Sequence, residues 1–297
     1  MNGMWSRRPS RAAFSFFHKK SGTGQDKNSF IKRANCIIIS IGSLDMNAID
    51  FWADKFRILG RRRQRFKGRL LLEKKTALSQ LSSQTGKMLR ERFGKGPESI
   101  FISYNEYGIT LHFRNFVSAV EMILLDKQKG EAVRETRQMV MDVLLPDLKE
   151  FITQTVGIAI EEIYYDWDLE DHSGIMIGLT NKSLDADIQE KYAGYEKVHQ
   201  QVSDVTAHVQ KIPDRIYSFW TNPRTLIIVR EGLLIMLEKE LINTGYENAL
   251  RVAKTSLEKK LLLHDVDMEQ AIGRTVTGLY LDWDFERDRS VLVYTFK

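Results

Sequence analysis

The stretch YYDWDLEDHSG, from Tyr164 to Gly174, has a close counterpart in LYLDWDFERDRS, from Leu279 to Ser290. Both contain Asp-Trp-Asp just before a charged turn and an apolar run. Placing Trp167 on Trp283 gives an offset of 116 residues. Further identical residues align at this offset without a gap: Pro97 with Pro213, Ile100 with Ile216, Arg114 with Arg230, and Gly157 with Gly273. Since residues of such different kinds share one register, we predict two copies of one domain.

Hydrophobic periodicity predicts the same order of elements, α-β-β-α-β-β, in each copy. This order is typical of an α+β fold in which helices pack on one face of an antiparallel sheet. We expect Pro146 to kink or split the long helix of the first copy, and Gly157 to cap it. The predicted domains are a basic, partly disordered or amphipathic N-terminal arm (1–75), a first copy (76–187) and a second, divergent copy (188–297).

The alternation of side chains along a strand assigns the two faces of the repeated motif. Trp167 and Trp283 lie on apolar faces and are expected in a core. The opposite faces, together with one arginine from each copy, form the candidate ligand or interaction face: Tyr164, Asp166, Asp168, Tyr280, Asp282, Asp284, Arg114 and Arg230. The simplest interpretation is that the carboxylates are solvated and keep the strand from pairing with other strands.

Two chemical interpretations of these carboxylates stay open. Asp166, Asp168, Glu170 and His172 alternate on one side, and their hard oxygen ligands suit a divalent cation. An EF-hand is rejected, because the glycine and glutamate that its loop needs are missing. A general acid/base pair is the other alternative, but no nucleophile can be named beside it. We therefore predict no catalytic residue, no metal and no cofactor.

The charges are distributed unevenly along the 297 residues. The net charge is +5, but residues 1–75 contain 18 basic and 5 acidic side chains, which leaves 26 basic and 34 acidic side chains elsewhere. Ile49, Trp52, Phe56 and Leu59 recur at helical spacing before the polybasic run RRRQRFKGR. A basic amphipathic segment can bind an anionic membrane surface, or it can be a solvated extension. The candidate contact residues are Arg61, Arg62, Arg63, Arg65, Lys67 and Arg69.

Two further features bear on location and partners. Cys36 is the one cysteine of the chain, as expected in a reducing, cytoplasmic compartment. No apolar run approaches the ~20 residues of a membrane-spanning helix. Nucleic acid is the least favoured partner, because Phe66 is the one aromatic residue within the polybasic run.

Four segments of the first copy resemble the bacterial MpsC family, the third component of a Na⁺-translocating, membrane-potential-generating system. They are LSSQTGKMLRERFGKGPESIFIS (81–103), ITLHFRNFVSAVE (109–121), VRETRQMVMDVLLPDLKEFI (133–152) and IEEIYYDWDLEDHSGIMIG (160–178). The second copy is more loosely similar: Gly94-Lys95-Gly96 becomes Gln210-Lys211-Ile212, and Arg134 and Arg137 find no basic match at Leu250 and Ala253.

The resemblance implies a non-enzymatic cytoplasmic accessory or regulatory protein. Its partners would be membrane subunits of an ion-coupled system for membrane potential or inorganic-carbon uptake, and it would sit peripherally at the inner face of the membrane. A homodimer and an anionic lipid surface stay open as further partners. The alternative is a sensor of a small anion or divalent metal, or an enzyme, that uses the repeated Tyr/Asp/Asp face. Nucleic-acid binding through the arm is a weaker alternative.

Overall fold

The computed structural model describes residues 75–184 and 191–297, which belong to one compact unit, Leu70–Lys297. The first repeat consists of α1 (75–93), β1 (Ser99–Tyr104), β2 (Gly108–Arg114), α2 (Ala119–Asp126), α3 (Gly130–Val156), β3 (Glu162–Asp168), β4 (Ser173–Leu179) and α4 (Asn181–Leu184). The second consists of α5 (Tyr195–Val209), β5 (Arg215–Asn222), β6 (Thr225–Glu231), α6 (Met236–Asn243), α7 (Glu247–Asp265), α8 (Met268–Ile272), β7 (Val276–Asp284) and β8 (Arg289–Phe296). The predicted α+β fold with two similar units is confirmed.

Each repeat forms a four-stranded antiparallel sheet, with strand orders β1-β2-β4-β3 and β5-β6-β8-β7. One face of each sheet packs on the helices of its own repeat and buries Trp167 or Trp283. The other faces of the two sheets share a third apolar cluster, which includes Tyr164, Phe219 and Tyr280. The layers are therefore helices, sheet, sheet and helices. The Tyr/Asp/Asp faces, predicted to be solvated, are turned toward the other repeat.

The short helices α2 and α6 were not predicted. α2 begins with a capping box, in which Ser118 Oγ accepts the Glu121 amide and Glu121 Oε2 accepts the Ser118 amide at 2.7 Å. The signal S-x-x-E is present in the sequence. The eight residues that follow are mostly apolar on all sides, so their periodicity does not indicate a helix.

Helix α3 continues from Gly130 to Val156 with Pro146 inside it, so the predicted split does not occur. Proline removes one backbone donor, and the long apolar face of the helix compensates for that loss by packing on the sheet. Gly157 has a φ of 68° and its amide donates to Thr153 O, which confirms the predicted cap.

The offset between the repeats is 116 residues at β1 and β5 but 117 at β2 and β6. Tyr104 pairs with Ile109, whereas Trp220 pairs with Leu226, because β5 contains a bulge between Trp220 and Asn222. Phe113 therefore corresponds to Arg230. Since a shift of one residue moves a side chain to the other face of a strand, the predicted equivalence of Arg114 and Arg230 is wrong.

The offset of 117 continues through α7, which changes the comparison of the long helices. Arg134 donates to Trp167 O at 3.1 Å, and Arg251 donates to Trp283 O at 2.6 Å. The second copy therefore does have basic matches in α7, contrary to the prediction, and they lie one residue further along. The offset returns to 116 at β7, because the break between α7 and α8 replaces the last part of the continuous helix α3.

Candidate functional site

Each repeat buries a cation against its core tryptophan. The Arg137 guanidinium lies 4.6 Å from the ring centre of Trp167, and the Lys254 ammonium lies 4.0 Å from that of Trp283. Arg137 Nε donates to Glu121 at 2.7 Å, and Lys254 Nζ donates to Glu238, also at 2.7 Å. A buried cation is tolerated when a carboxylate and an aromatic ring both face it. This equivalent pair, Arg137 and Lys254, was missed because the offset of 116 aligns the wrong residues.

The second repeat contains an additional buried ion pair. Arg230 and Glu258 are 0% and 1% exposed, and Arg230 Nη2 donates to Glu258 Oε2 at 2.6 Å. Arg230 Nε also donates to Ser290 Oγ at 2.9 Å. The residues at the corresponding positions of the first repeat are Phe113, Met141 and Gly174. The two cores thus differ at three positions that contact one another, apolar in one repeat and polar in the other.

The aspartates of the repeated motif join the two repeats. Asp166 Oδ2 accepts the Leu281 amide, and Asp282 Oδ2 accepts the Tyr165 amide, each at 2.9 Å. The other oxygen of each carboxylate accepts the amide of the following tryptophan at 2.7 Å. This reciprocal pattern has an approximate two-fold axis between β3 and β7. We call these two strand edges and their aspartates the seam.

The seam explains why Asp-Trp-Asp occurs twice. Outward-facing amides at a strand edge need acceptors, and an exposed edge can pair with another chain. Asp166 and Asp282 supply those acceptors from across the axis. Asp166 is only 6% exposed, so its interpretation as a solvated carboxylate is wrong. It is covered because the edges of the two sheets meet there.

Basic side chains of both long helices compensate the charges of the seam. Asp166 forms an ion pair with Lys259 of α7, and Arg134 Nη1 lies 3.8 Å from its Oδ1. Arg251 Nη1 lies 2.9 Å from Asp282 Oδ1. The Asp282 side chain is 16% exposed, but its carboxylate is surrounded closely enough that burial raises its pKa. Arg251 and the two amide donors act against that rise.

The seam is the floor of an open cleft of about 1460 Å³ between α3 and α7. Among residues 75–184 and 191–297, four basic side chains line it: Arg134, Arg251, Lys259 and Lys260. Eight acidic side chains of the same ranges line it as well: Glu131, Glu135, Asp142, Asp166, Asp168, Glu170, Glu247 and Asp282. The excess of acidic groups favours a positively charged ligand or partner over an anion.

A family model described as a Na⁺-translocating membrane potential-generating system (MpsC) matches residues 73–182 and 195–297. The chain belongs to the MpsC family. The two matched segments correspond to the two repeats, so the tandem arrangement inferred from the motif is confirmed. Membership associates the chain with a Na⁺-translocating, membrane-potential-generating system. No curated protein and no solved structure matches the chain.

The second aspartate of each MpsC motif caps a turn. Asp168 Oδ1 accepts the amides of Glu170 and Asp171, each at 3.1 Å. Asp284 Oδ1 accepts the Arg287 amide at 3.0 Å. Short acidic side chains commonly stabilise turns in this way. Asp168 and Asp284 therefore stabilise the turns that follow the motif, and of these two only Asp168 also lines the cleft.

The two motif tyrosines lie in the layer between the sheets. Tyr164 donates its hydroxyl proton to Glu162 at 2.7 Å. Tyr280 Oη lies 2.8 Å from Ser173 Oγ and 3.1 Å from His112 Nε2. Because both rings are buried, neither forms an open ligand-binding face.

The two arginines of the candidate face are far from equivalent. The Arg114 side chain is exposed and lies 5.1 Å from the centre of the Phe101 ring. Arg230 is fully buried in its ion pair with Glu258. The polybasic residues from Arg61 to Arg69 lie outside the described residues.

The metal and membrane-spanning alternatives concern residues 75–184 and 191–297, the described part of the chain. Within these ranges, no group of three or more His, Cys, Asp or Glu side chains could hold a metal ion. Asp166, Asp168 and His172 do not converge, since the first faces the seam and the other two belong to the turn that follows. Over the same ranges no helix is both long and apolar enough to cross a bilayer.

Proposed function

We propose that the chain is a non-enzymatic accessory or regulatory component of a Na⁺-translocating, membrane-potential-generating system, and that it acts by binding the membrane subunits of that system. The observation that carries this proposal is the match of both repeats to the MpsC family. In this proposal the chain is a peripheral protein at the cytoplasmic face of the membrane. The membrane subunits that it binds belong to a system coupled to inorganic-carbon uptake.

The first turns of α2 and α6 support a docking role. Val120 and Ile123 on α2 are 69% and 61% exposed, and Met236 and Leu237 on α6 are 88% and 66% exposed. Val120 and Leu237 occupy equivalent positions, because the two capping glutamates, Glu121 and Glu238, are also 117 residues apart. Large apolar side chains exposed on adjacent turns are typical of protein interfaces. Each repeat thus offers a related apolar surface to a partner.

The seam is consistent with a scaffold role for the repeated motif. Its two aspartates accept backbone amides and pair with Lys259, Arg134 and Arg251. In a scaffold, such contacts hold the repeats at a constant angle, so that both docking helices meet a partner in one geometry. This structural role of the carboxylates explains why the motif occurs twice, and it assigns them no part in catalysis.

The test is a pull-down from native membranes with tagged chains, read by mass spectrometry. We expect the full-length chain to recover membrane subunits of an ion-coupled system, and the double variant Val120→Asp, Leu237→Asp to lose them. Val143→Asp on α3 is the matched control, since Val143 is 61% exposed but lies on neither α2 nor α6. A chain lacking residues 1–75 separates docking through the repeats from binding through the arm. Recovery of the tagged chain alone would contradict the proposal.

A further inference from the structure

The approximate two-fold axis of the seam allows the two halves of the cleft to be compared. The offset of 117 residues places Asp142 of α3 on Lys259 of α7, as it places Arg134 on Arg251. Both Asp142 and Lys259 line the cleft. The two halves therefore carry opposite charges at the same position.

In one half the chain provides its own ammonium group. Lys259 Nζ pairs with Asp166 Oδ2, the same oxygen that accepts the Leu281 amide. We call Lys259, Asp166 and Leu281 the Lys259 half-site. Its carboxylate has two cationic neighbours, because Arg134 also approaches it.

The other half consists of Asp142, Tyr165 and Asp282, and we call it the Tyr165 half-site. Asp282 Oδ2 accepts the Tyr165 amide, as Asp166 accepts Leu281. Within the described chain, Arg251 is the one cation paired with Asp282, and Arg251 also pairs with Glu247 at 3.1 Å. The acidic groups of this half therefore outnumber its cations.

The Tyr165 hydroxyl provides a second, independent observation. The Tyr165 side chain lines the cleft and is only 9% exposed. Its hydroxyl has no hydrogen-bond partner among the described residues. Burial, followed by the negative charges of Asp282 and Asp142, raises the pKa of this hydroxyl, so it stays protonated and keeps its lone pairs for a donor. A buried polar group without a partner is costly unless a ligand satisfies it.

We propose that the Tyr165 half-site binds an alkylammonium group from outside the chain, in the way that Lys259 binds Asp166. An ammonium group has three donors, which equal in number the acceptors of this half-site: the Asp282 carboxylate, the Asp142 carboxylate and the Tyr165 hydroxyl. Asp142 Oδ1 also accepts Gln138 Nε2 at 3.0 Å, which leaves its other oxygen for the amine. Its alkyl stem would lie along the apolar part of the cleft, where Met139 is 63% exposed. A lysine side chain of a partner protein and a free amine share this chemistry.

Two observations favour an ammonium group over an anion at the Tyr165 half-site: the charge of its lining and the ammonium group that the chain already binds at the Lys259 half-site. An anion would face Asp142, Asp282 and Glu247, which oppose it. The same fold already holds a lysine ammonium at the equivalent place, on an equivalent carboxylate. Amine binding at the Tyr165 half-site does not require docking to membrane subunits, so a failed pull-down would not contradict it.

The experiment uses n-butylammonium chloride, a mimic of the lysine side chain, with the full-length protein. Unfolding temperature and the amide resonance of Tyr165 are followed up to 100 mM amine, against sodium chloride at equal ionic strength. We expect a saturable rise in Tm with the amine, since binding to the folded state stabilises it, and a matching shift of the Tyr165 amide. A capped lysine peptide and cadaverine, tested in parallel, distinguish a partner's lysine from a free amine.

The decisive variant is Asp142→Lys, which copies the Lys259 half-site. We expect a higher Tm without amine and no response to amine. Asp142→Asn should weaken binding about tenfold, the effect of losing one charge-assisted contact. Asp147→Lys, on the same helix but away from the cleft, should respond as the wild type does.

Three outcomes would overturn the inference. One is an equal response to sodium and to butylammonium, which would indicate a general effect of monovalent cations. The second is an unchanged amine response in Asp142→Asn, a variant that keeps the shape of the side chain. The third is a Tyr165 amide resonance that does not move while Tm rises, which would place the amine elsewhere.

Discussion

Replacing Glu258 by methionine is expected to destabilise the protein far more than replacing Glu258 and Arg230 together. Both side chains are almost completely buried, and Arg230 Nη2 lies 2.6 Å from Glu258 Oε2. The single variant Glu258→Met leaves a guanidinium in the core with only hydroxyl acceptors. The double variant Arg230→Phe, Glu258→Met installs the pair that the first repeat uses, Phe113 and Met141.

The magnitudes follow from the burial of the pair. Removing one partner of a buried ion pair costs about 3–5 kcal/mol, because the other charge remains without compensation. Replacing both by apolar residues of suitable shape is often neutral or stabilising by ~1–4 kcal/mol. The double variant still leaves Ser290 Oγ without its donor and Gln210 Nε2 without its Glu258 acceptor, at a cost of about 1 kcal/mol each, and Ser290→Gly would remove the first of these costs. Thr206 Oγ1 loses the Arg230 Nη1 donor at 2.8 Å, but its hydroxyl still donates to Val202 O at 2.6 Å.

Thermal and urea unfolding are measured for four chains: the wild type, Arg230→Phe, Glu258→Met and the double variant. The single variant should lower Tm by roughly 6–20 °C, at ~2–4 °C per kcal/mol for a domain of this size. The double variant should unfold within a few degrees of the wild type, and adding Ser290→Gly should raise its Tm. Equal losses in the single and double variants would refute the reasoning, since the cost would then come from packing and not from an unpaired charge.

Three further outcomes are expected. Gly174→Ala should destabilise the first repeat by about 1–3 kcal/mol in urea unfolding, because a Cβ there overlaps the Trp167 ring, whereas Gly130→Ala meets only ordinary contacts and should not. Burial lowers the pKa of His199 to about 4, so protonation favours the unfolded chain. The contribution of neutral His199 to the free energy of unfolding should be fully present above pH ~6.5 and should fall by roughly 3 kcal/mol as the pH decreases to ~4. Parallel pH profiles of stability for the wild type and His199→Gln would contradict this. Asp166→Ala should cost about 2–4 kcal/mol and should speed hydrogen exchange at the Leu281 amide, which loses its acceptor; unchanged exchange there would show that the seam does not hold the repeats together.

Several features of the fold could be predicted because local rules control them. Alternation along the strand placed Trp167 and Trp283 in the cores, and both are buried. Gly157 was recognised as a helix cap, and its positive φ agrees. The capping box of α2, formed by Ser118 and Glu121, is also a local signal, but no helix was predicted there because the apolar residues after it have no helical period. Such local signals depend on a few neighbouring residues, so they survive in the sequence.

The predictions that were wrong concern features that depend on residues distant in the sequence. The bulge at Trp220 shifts β6 by one position, and no local signal marks it, so Arg230 was aligned with Arg114 instead of Phe113. The same shift hid the equivalence of Arg137 and Lys254. Realigning the two long helices by one residue would have found it, since two basic pairs match at once.

The sequence by itself determined the duplication, the α+β class and the faces of β3 and β7 that enter the helix-covered cores. These follow from periodicity and from repeated residues, which are properties of the chain alone. Only the tertiary structure decided what covers the other face. Alternation tells which side chains share a surface, but not whether water or a second sheet lies against it. The aspartates of the motif therefore acquire their role, as acceptors across the seam, only when the edges of β3 and β7 meet.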